Sequence, residues 1–494
     1  MRTATPMQSG QQASGAPSPL APTAAGSRAP VGSAAFSLLI DGFRERLDRE
    51  IGAFLAGKRA AALGSEAALG APPAAAASVD GLSGSGDLVE GVARLIAQGG
   101  KRLRPALVYY TYRACGGRCD ELVIPVALAT EFLHTYLLIH DDIMDHAEVR
   151  RGQPAAHARF RDLHRAGSWR GDSGDFGRSV AILLGDLAHS YAVELFTTAL
   201  FPIVRPAAAT SSSPTGAPGS GSAIRQAVPP TPAPHRVELN RCFSEMCEEV
   251  IGGQYLEFLL AHRGISGAAG SVSAAAMSGP LEAAPGAAFD SAQAANAAHA
   301  PNAADSAREA ELLRVLRLKS GRYTAERPIQ LGALLAGAEP GHLAELSRYG
   351  TAVGEAFQLH DDLLGMFGDP ATTGKPVGDD LREGKFTLLI HHALVNGGPA
   401  DRQLIAAALG NPDLTAAEVS RVQAVLEHTG ARRMVAAMIA QRLGAARRAL
   451  DALLGSGAIG GGHGGHDERT EGLGDAAGPR FLAGLLDYLR EREQ

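Results

Sequence analysis

Apolar residues recur at helical spacing in block after block of this 494-residue chain. The stretch FSLLIDGFRERLDREIGAF, for instance, repeats apolar residues every three or four positions, which is the period of one helix face. No block alternates apolar and polar residues for long enough to favour a strand. The pattern therefore predicts an all-α fold with one helical core. The predicted helical blocks cover residues 36–54, 122–146, 179–203, 236–261, 308–337, 341–367, 385–396, 401–409, 415–427, 431–454 and 480–492.

Low-complexity tracts separate these blocks, because the chain contains 60 glycines and long runs of alanine, proline and serine. Such tracts bury too little apolar surface to offset the entropy of ordering them. Loops accept added length at small entropic cost, so insertions belong at helix junctions. We therefore predict a disordered tail over residues 1–34 and a single domain over residues 35–494. The predicted disordered insertions lie near residues 57–86, 166–178, 205–235, 263–305 and 455–478.

Charge and cysteine usage limit the partners and the compartment. The net charge of −6 comes without a basic stripe, which argues against nucleic acid as a partner. Four cysteines at irregular spacing in so long a chain indicate reduced thiols and a cytoplasmic protein. The apolar run over residues 180–204 includes Asp186, His189 and Glu194. We therefore interpret it as a core helix and predict no transmembrane segment.

The stretch LLIHDDIMDHAEVRRG joins an apolar helical run to a cluster of charges. Helical spacing allows Asp141, Asp142 and Asp145 to converge on one side of the helix. Converging carboxylates need a cation among them, and hard oxygen ligands suit Mg²⁺, which commonly holds substrate phosphates. Arg150 and Arg151 follow at once, and guanidinium groups match phosphate oxygens two at a time. The stretch therefore predicts a magnesium and phosphate site at the edge of an apolar core.

A second apolar helical run followed by aspartates lies about 220 residues downstream, in FQLHDDLLGMFGDP. Asp361 and Asp362 again follow an apolar helical run and a histidine. Gly365 stands where a third carboxylate would match Asp145, and Asp369 lies two turns beyond Asp361 on roughly the same face. Two acidic helices that face each other across a bundle would form a metal cage for a diphosphate.

The chain has only five lysines, at positions 58, 101, 319, 375 and 385, although arginines are frequent. Four of the five lie in short polar motifs: GGKRLRP, LKSGRY, GKPVG and REGKF. A compact ammonium group suits point-charge neutralisation of a phosphate. Any one of these lysines could be an ordinary surface residue, but four in such motifs indicate an anion site.

Taken in order, the motifs GGKRLRP, HDDIMDHAEVRRG, GGQYLE, LKSGRYTAERP, FQLHDDLLGMFGD and GKPVGDDLREGKFTLL resemble those of the trans-isoprenyl diphosphate synthases, the polyprenyl synthetase family. The resemblance is greatest to the geranylgeranyl diphosphate synthases. It implies an antiparallel helical bundle around a deep central pocket, three Mg²⁺ ions, and a homodimer. It also implies condensation of isopentenyl diphosphate, head to tail, with an allylic diphosphate.

The resemblance also implies roles for individual residues. Asp141 and Asp145 match direct metal ligands, as does Asp361, while Asp142 and Asp362 stand beside them. Gly365 departs from the family pattern, in which an aspartate ends the second motif. The isopentenyl diphosphate site is matched by Lys101, Arg104, His134 and Arg151. The surroundings of the allylic diphosphate are matched by Arg150, Lys319, Ser320, Gln358, Lys375 and Lys385.

Product length is predicted from the helix before the first acidic motif. Tyr136 lies roughly 7 Å deeper along the helix axis than Asp141, at about 1.5 Å per residue. An aromatic there, with the smaller Leu137 beside it, resembles the pattern of geranylgeranyl diphosphate synthases. The alternatives are a farnesyl or longer polyprenyl diphosphate synthase, or a non-catalytic subunit that binds prenyl diphosphates. A terpene cyclase would leave GGKRLRP and the lysine motifs without a role.

Overall fold

The computed structural model describes residues 31–68, 84–201, 233–263, 302–369, 376–460 and 476–491. Regular structure in these ranges is almost entirely helical, which confirms the all-α prediction. Predictions for residues 1–30 lie outside the described residues, as do most of those for the tracts near 205–235, 263–305 and 455–478. Lys375 lies outside them too.

Long helices build the domain, and their bounds follow the apolar blocks of the sequence closely. The helices in the described ranges are α1 (Val31–Ala68), α2 (Gly86–Ala97), α3 (Leu103–Ala114), α4 (Asp120–Met144), α5 (Ala156–Ala166), α6 (Ser173–Leu200), α7 (Ala233–Arg263), α8 (Ala303–Val315), a π-helical segment (Leu316–Glu326), α9 (Arg327–Leu335), α10 (Pro340–Phe367), α11 (Asp379–Arg382), α12 (Leu388–Asn396), α13 (Pro399–Ala408), α14 (Ala416–His428), α15 (Ala431–Gly455) and α16 (Ala477–Glu491).

Helices α4 and α10 form the centre of the bundle. α4 packs mainly on α6 and α3, whereas α10 packs on α15 and on the π-helical segment. The apolar run of α4 is buried as its composition predicts, with Phe132 and Leu133 at most 1% exposed. Acidic residues occupy the first turn of α4, where the positive end of the helix dipole favours them. The packing brings the carboxyl ends of both helices to one cavity.

By length and composition alone, α4 and α6 are long and apolar enough to cross a membrane. Within the fold, 72% of the apolar window of α4 and 44% of that of α6 are buried against other helices. The two helices pack extensively against each other. α4 is therefore mainly a core helix, whereas α6, within the predicted block 180–204, packs on it and leaves apolar side chains such as Leu183 exposed.

Two predicted insertions are shorter than the sequence suggested. The tract near 166–178 is reduced to residues 167–172, because α6 begins at Ser173. The carboxylate of Asp172 accepts a hydrogen bond from the backbone N–H of Asp175 and so caps α6. Polar residues mistaken for a loop therefore start a helix. Similarly, α1 continues to Ala68 through the first part of the tract at 57–86, since alanine is a strong helix former.

A short hairpin between α4 and α5 escaped the sequence analysis. Strands β1 (Val149–Arg150) and β2 (Gln153–Pro154) are antiparallel, and Arg150 is paired with Gln153. Arg151 and Gly152 form the turn with φ angles of 52° and 73°, which matches the right-handed twist of the strands. The hairpin fixes where the two adjacent arginines emerge beside α4.

The predicted helix at 308–337 is interrupted by the π-helical segment. This segment lies very close to α10, since a Cβ atom built on Gly354 would be 2.1 Å from the carbonyl oxygen of Gly321. Wider π-type turns are common at functional sites because they redirect side chains. Here the segment carries Lys319 and Ser320 on the wall of the cavity.

Candidate active site

A cavity of about 1050 Å³ lies between α4, α7, the π-helical segment, α10 and the chain leading into α12. Charged groups are concentrated at the carboxyl ends of α4 and α10, and apolar side chains line much of the rest. The cavity therefore combines a charged end with largely apolar walls elsewhere. The predicted site residues that line it are Lys101, Arg104, His134, Tyr136, Leu137, Asp141, Arg150, Lys319, Ser320, Gln358, Asp361, Asp362 and Lys385.

The first acidic motif occupies the last turn of α4. Asp141 faces the cavity, with its Oδ1 atom 3.9 Å from Lys319 Nζ. Asp145 caps the helix end, and its Oδ2 atom is 3.9 Å from Lys385 Nζ. Each of these two carboxylates therefore faces a lysine from the second half of the chain.

Asp142 does not join them, which corrects the expectation that all three carboxylates converge. One residue along a helix is a rotation of about 100°, so the side chain of Asp142 points away from the cavity. It is only 3% exposed and accepts hydrogen bonds from the guanidinium group of Arg150, one of them 2.8 Å long. Asp142 thus holds Arg150 at the cavity wall.

The pKa values of the first motif reflect this crowding. Burial, together with the charge of Asp141, raises the pKa of Asp145 to about 7, although Lys385 opposes the shift. Burial also raises the pKa of Asp142 against the opposing effect of Arg150. Such shifts mark carboxyl groups with too little compensating positive charge.

The second motif lies near the end of α10. Asp361 and Asp362 both line the cavity, and Gln358 donates a hydrogen bond of 2.8 Å from Nε2 to Asp362 Oδ1. Burial raises the pKa of Asp362 to about 7 despite that hydrogen bond, and the nearby Asp380 and Asp361 add to the shift. Asp369 is exposed beyond the end of the helix and does not reach the cavity wall.

The two described lysines of this region already have acidic partners. Lys319 forms ion pairs with Glu257 and Asp141. Lys385 forms them with Glu383, Asp380 and Asp145. Burial alone would lower both lysine pKa values, but the carboxylates outweigh it and raise them, most strongly for Lys385. Both lysines therefore carry a full charge at neutral pH.

Three further predicted residues line the same cavity. Arg104 donates a hydrogen bond of 2.8 Å from Nη2 to Thr324 Oγ1, and its guanidinium carbon is 4.4 Å from the centre of the Tyr323 ring. His134 lies nearby, and burial with the charges of Arg104 and Arg151 lowers its pKa well below the usual range. Lys101 is exposed at the rim. The group combines two permanent cations with a neutral imidazole.

Arg151 lies just outside the cavity wall, against the GGKRLRP loop. A Cβ atom built on Gly100 would be 3.1 Å from Arg151 Nη2, so the glycine leaves room for the guanidinium group. Gly99 has a φ of 85°, a conformation that favours glycine. The two glycines therefore allow the guanidinium group of Arg151 to lie against the loop that carries Lys101.

Tyr136 lines the cavity five residues before Asp141 on α4. Its ring centroid is 4.8 Å from that of His140 and 5.0 Å from that of His189. Leu137 lines the cavity beside it. The tyrosine ring therefore lies between α4 and α6 and contacts one histidine of each helix.

Several acidic groups of this site were given no role from the sequence. Glu257 comes from α7 and ends the motif GGQYLE, while Asp379, Asp380 and Glu383 belong to the stretch GKPVGDDLREGKF, where only the lysines were assigned a role. Ion pairs with Lys319 and Lys385 bring Glu257, Asp380 and Glu383 into the site. The sequence signal that could have identified Asp379, Asp380 and Glu383 was their place between the two lysines of GKPVGDDLREGKF.

The donor set fits Mg²⁺ held jointly by protein and substrate. Among the described residues, no three histidine, cysteine or acidic side chains lie close enough together to enclose a metal ion by themselves. Mg²⁺ commonly binds through one or two carboxylates, with waters and phosphate oxygens completing its shell. Carboxyl groups with raised pKa values at the ends of two facing helices match that requirement.

Comparison with known proteins decides the family. The family model described as polyprenyl synthetase matches residues 87–269 and 282–427, which together make up more than half of the chain. The chain belongs to the polyprenyl synthetase family. Members of this family are isoprenyl diphosphate synthases, so the protein is a trans-prenyltransferase.

Three similar proteins illustrate the range within the family. A geranylgeranyl diphosphate synthase from Mycobacterium tuberculosis is 30% identical over 71% of this chain and 75% of its own length. A (2E,6E)-farnesyl diphosphate synthase from Mycobacterium bovis is 29% identical over 68% of this chain and 70% of its own. The crystal structure of a Corynebacterium glutamicum geranylgeranyl pyrophosphate synthase, complexed with isoprenyl diphosphate and magnesium, superimposes with a TM-score of 0.65. It is 28% identical and covers 92% of this chain and 99% of its own.

Proposed function

We propose that this prenyltransferase condenses isopentenyl diphosphate head to tail with an allylic diphosphate, depends on Mg²⁺, and makes geranylgeranyl diphosphate. The observation that carries the proposal is the meeting of two acidic helix ends, at Asp141 and Asp361, over one cavity with an apolar interior. The acidic helix ends would bind the charged leaving group through metal ions, and the apolar interior would bind the hydrocarbon chain. The relatives include geranylgeranyl, geranylfarnesyl and farnesyl diphosphate synthases, so the product assignment rests on Tyr136 and Leu137.

Asp141, Asp145 and Asp361 would hold Mg²⁺, three ions by family resemblance, with Asp142 and Asp362 supporting them. Bound metal supplies positive charge to the diphosphate that leaves the allylic carbon. Around the same diphosphate we place cations and hydrogen-bond donors from the second half of the chain, together with Arg150, which Asp142 holds. These residues are Arg150, Lys319, Ser320, Gln358, Lys375 and Lys385.

Isopentenyl diphosphate would bind at Lys101, Arg104 and His134 on the cavity wall and at Arg151 beside them. The allylic C–O bond breaks, and its electron pair leaves with the diphosphate. The double bond of isopentenyl diphosphate then forms the new C–C bond, and a proton passes to the released diphosphate. Apolar side chains such as Leu137 and Leu316 keep water from the carbocation.

Incubation of the purified protein with isopentenyl diphosphate and each allylic primer in turn tests the proposal. We expect a prenyl diphosphate from the protein alone, with formation stopped by EDTA and restored by Mg²⁺. A non-catalytic partner subunit would give no product with any primer. A terpene cyclase would release a hydrocarbon from a single allylic diphosphate. The length of the product separates a geranylgeranyl from a farnesyl or longer synthase.

Tyr136→Ala should lengthen the main product by one or more isoprene units. The ring lies on the cavity wall between His140 and His189, and its removal opens space along the path of the growing tail. The measurement is chromatography of the dephosphorylated products. Tyr136→Phe keeps the ring and should leave the product unchanged. An unchanged product from Tyr136→Ala would mean that another helix builds the floor.

We also propose that the protein is a homodimer in the cytoplasm. Its four cysteines are free thiols, as expected of a reducing compartment. Helices α6 and α7 touch through the stacked rings of Phe196 and Phe243, and they expose large apolar side chains such as Leu183 and Tyr255. Tyr255 also lines the cavity, so a second copy on this face would complete its wall.

Sedimentation velocity should therefore give twice the mass of the 51.0 kDa chain. Leu183→Glu places a charge on the exposed apolar face and should shift the population towards monomer. A monomer at micromolar concentrations of the unaltered protein would contradict the proposed dimer.

A further inference from the structure

The second acidic motif lacks its third carboxylate, yet the structure shows a carboxylate in that space. A Cβ atom built on Gly365 would lie 2.3 Å from Asp380 Oδ2 and 3.3 Å from Asp380 Cγ. The side chain of Asp380 therefore occupies the volume that a side chain at position 365 would need. It reaches this volume from α11, not from α10.

Backbone hydrogen bonds hold Asp380 in this place. The N–H of Gly378 donates to the carbonyl oxygen of Gly365 at 3.0 Å and ties the chain before α11 to α10. The N–H of Lys385 donates to the carbonyl oxygen of Asp380 at 2.9 Å. Gly378 has a φ of 80°, so the turn itself favours glycine. Backbone hydrogen bonds on both sides of Asp380 therefore hold its position independently of the contacts of its side chain.

The carboxylate of Asp380 faces the proposed metal site. It lines the cavity together with Asp361 and Asp362, and its Oδ1 atom is 3.5 Å from Lys385 Nζ. One oxygen is therefore directed towards the lysine and the other towards Gly365. The same carboxylate thus contacts a proposed diphosphate ligand and the second acidic motif.

We propose that Asp380 supplies the carboxylate that the second acidic motif lacks at Gly365, acting as a positioning residue for the metal ion that Asp361 holds. This inference rests on the proposed function. With the ion bound, the carboxylate would accept hydrogen bonds from its water ligands, and its ion pair with Lys385 would hold that lysine beside the diphosphate. Gly365 is then a consequence of the arrangement, because any larger side chain would compete with Asp380 for one volume.

The test is calorimetric binding of inorganic diphosphate over a series of Mg²⁺ concentrations. Asp380→Asn keeps the shape of the side chain but removes its charge, and we expect it to raise the Mg²⁺ concentration for half-maximal binding about tenfold, as loss of an outer ligand does. The double variant Asp380→Ala, Gly365→Asp returns a carboxylate to the same volume from α10. It should restore the Mg²⁺ requirement to within about twofold of the unaltered protein, well inside the tenfold loss expected of the single variant.

Asp451→Ala removes an exposed carboxylate of α15 and serves as the charge control. A normal Mg²⁺ requirement in Asp380→Asn would overturn the inference, as would a folded double variant that binds no better than Asp380→Ala alone. Failure of the unaltered protein to bind diphosphate with Mg²⁺ would instead overturn the proposed function. The two failures are therefore distinguishable.

Discussion

Asp141→Ala should abolish measurable turnover, a loss of about a hundredfold to a thousandfold or more. The carboxylate faces the cavity at the end of α4 and is a proposed direct metal ligand. Without it, the negative charge that develops on the departing diphosphate loses part of its compensation. The measurement is steady-state incorporation of isopentenyl diphosphate at saturating Mg²⁺.

Asp369→Ala is the matched control for that experiment. Asp369 belongs to the same sequence motif as Asp361, but it is exposed and lies off the cavity wall. Its replacement should change turnover much less. Thermal melting of both variants shows whether the fold is retained, and full activity of a folded Asp141→Ala protein would contradict the metal assignment.

Gly354→Ala should destabilise the protein by about 1–3 kcal/mol, the usual range for an overpacked core. The new methyl group would lie 2.1 Å from the carbonyl oxygen of Gly321, and backbone atoms cannot rotate away as a side chain can. Helix α10 must therefore move from the π-helical segment. Gln358 and Asp361 lie one and two turns further along α10, so activity should fall as well.

The control for this prediction is Gly52→Ala in α1. A Cβ atom at Gly52 meets no other atom within 4 Å, so alanine fits without strain. Its higher helix propensity should then stabilise the protein by up to about 1 kcal/mol. Urea unfolding of both variants gives the comparison. Equal stability changes in the two proteins would show that the contact between Gly354 and Gly321 is not tight in solution.

The sequence predicted those features that repeat or that depend on local chemistry. Helical periodicity identified most of the long helices, and an almost unbroken apolar run before Asp141 correctly indicated a buried segment. Acidic motifs after such runs predicted that Asp141 and Asp361 would meet at one cavity. Lysine scarcity led to Lys319 and Lys385, which the structure places 3.9 Å from Asp141 and from Asp145 respectively.

Features that depend on packing between distant segments were not predictable in the same way. Spacing alone allowed Asp142 to face the cavity, whereas its burial beside Arg150 is decided by a hairpin that the sequence analysis did not detect. The π-helical segment follows apolar spacing that is indistinguishable from an α-helix over so few residues. The proximity of Asp380 to Gly365 depends on a contact between segments, the hydrogen bond from the N–H of Gly378 to the carbonyl oxygen of Gly365.

Lys319 and Lys385 already have carboxylate partners, at 3.9 Å from Asp141 and from Asp145 respectively. Under the proposed function, the arrival of substrate is therefore an exchange of partners: the lysines turn to phosphate oxygens and leave the carboxylates to metal ions. The free energy of such an exchange is a small difference between large opposing contributions. Departure of the product diphosphate only reverses it, returning each lysine to its original carboxylate. Release of diphosphate and reloading between successive additions then involve the same ion pairs that the resting protein contains.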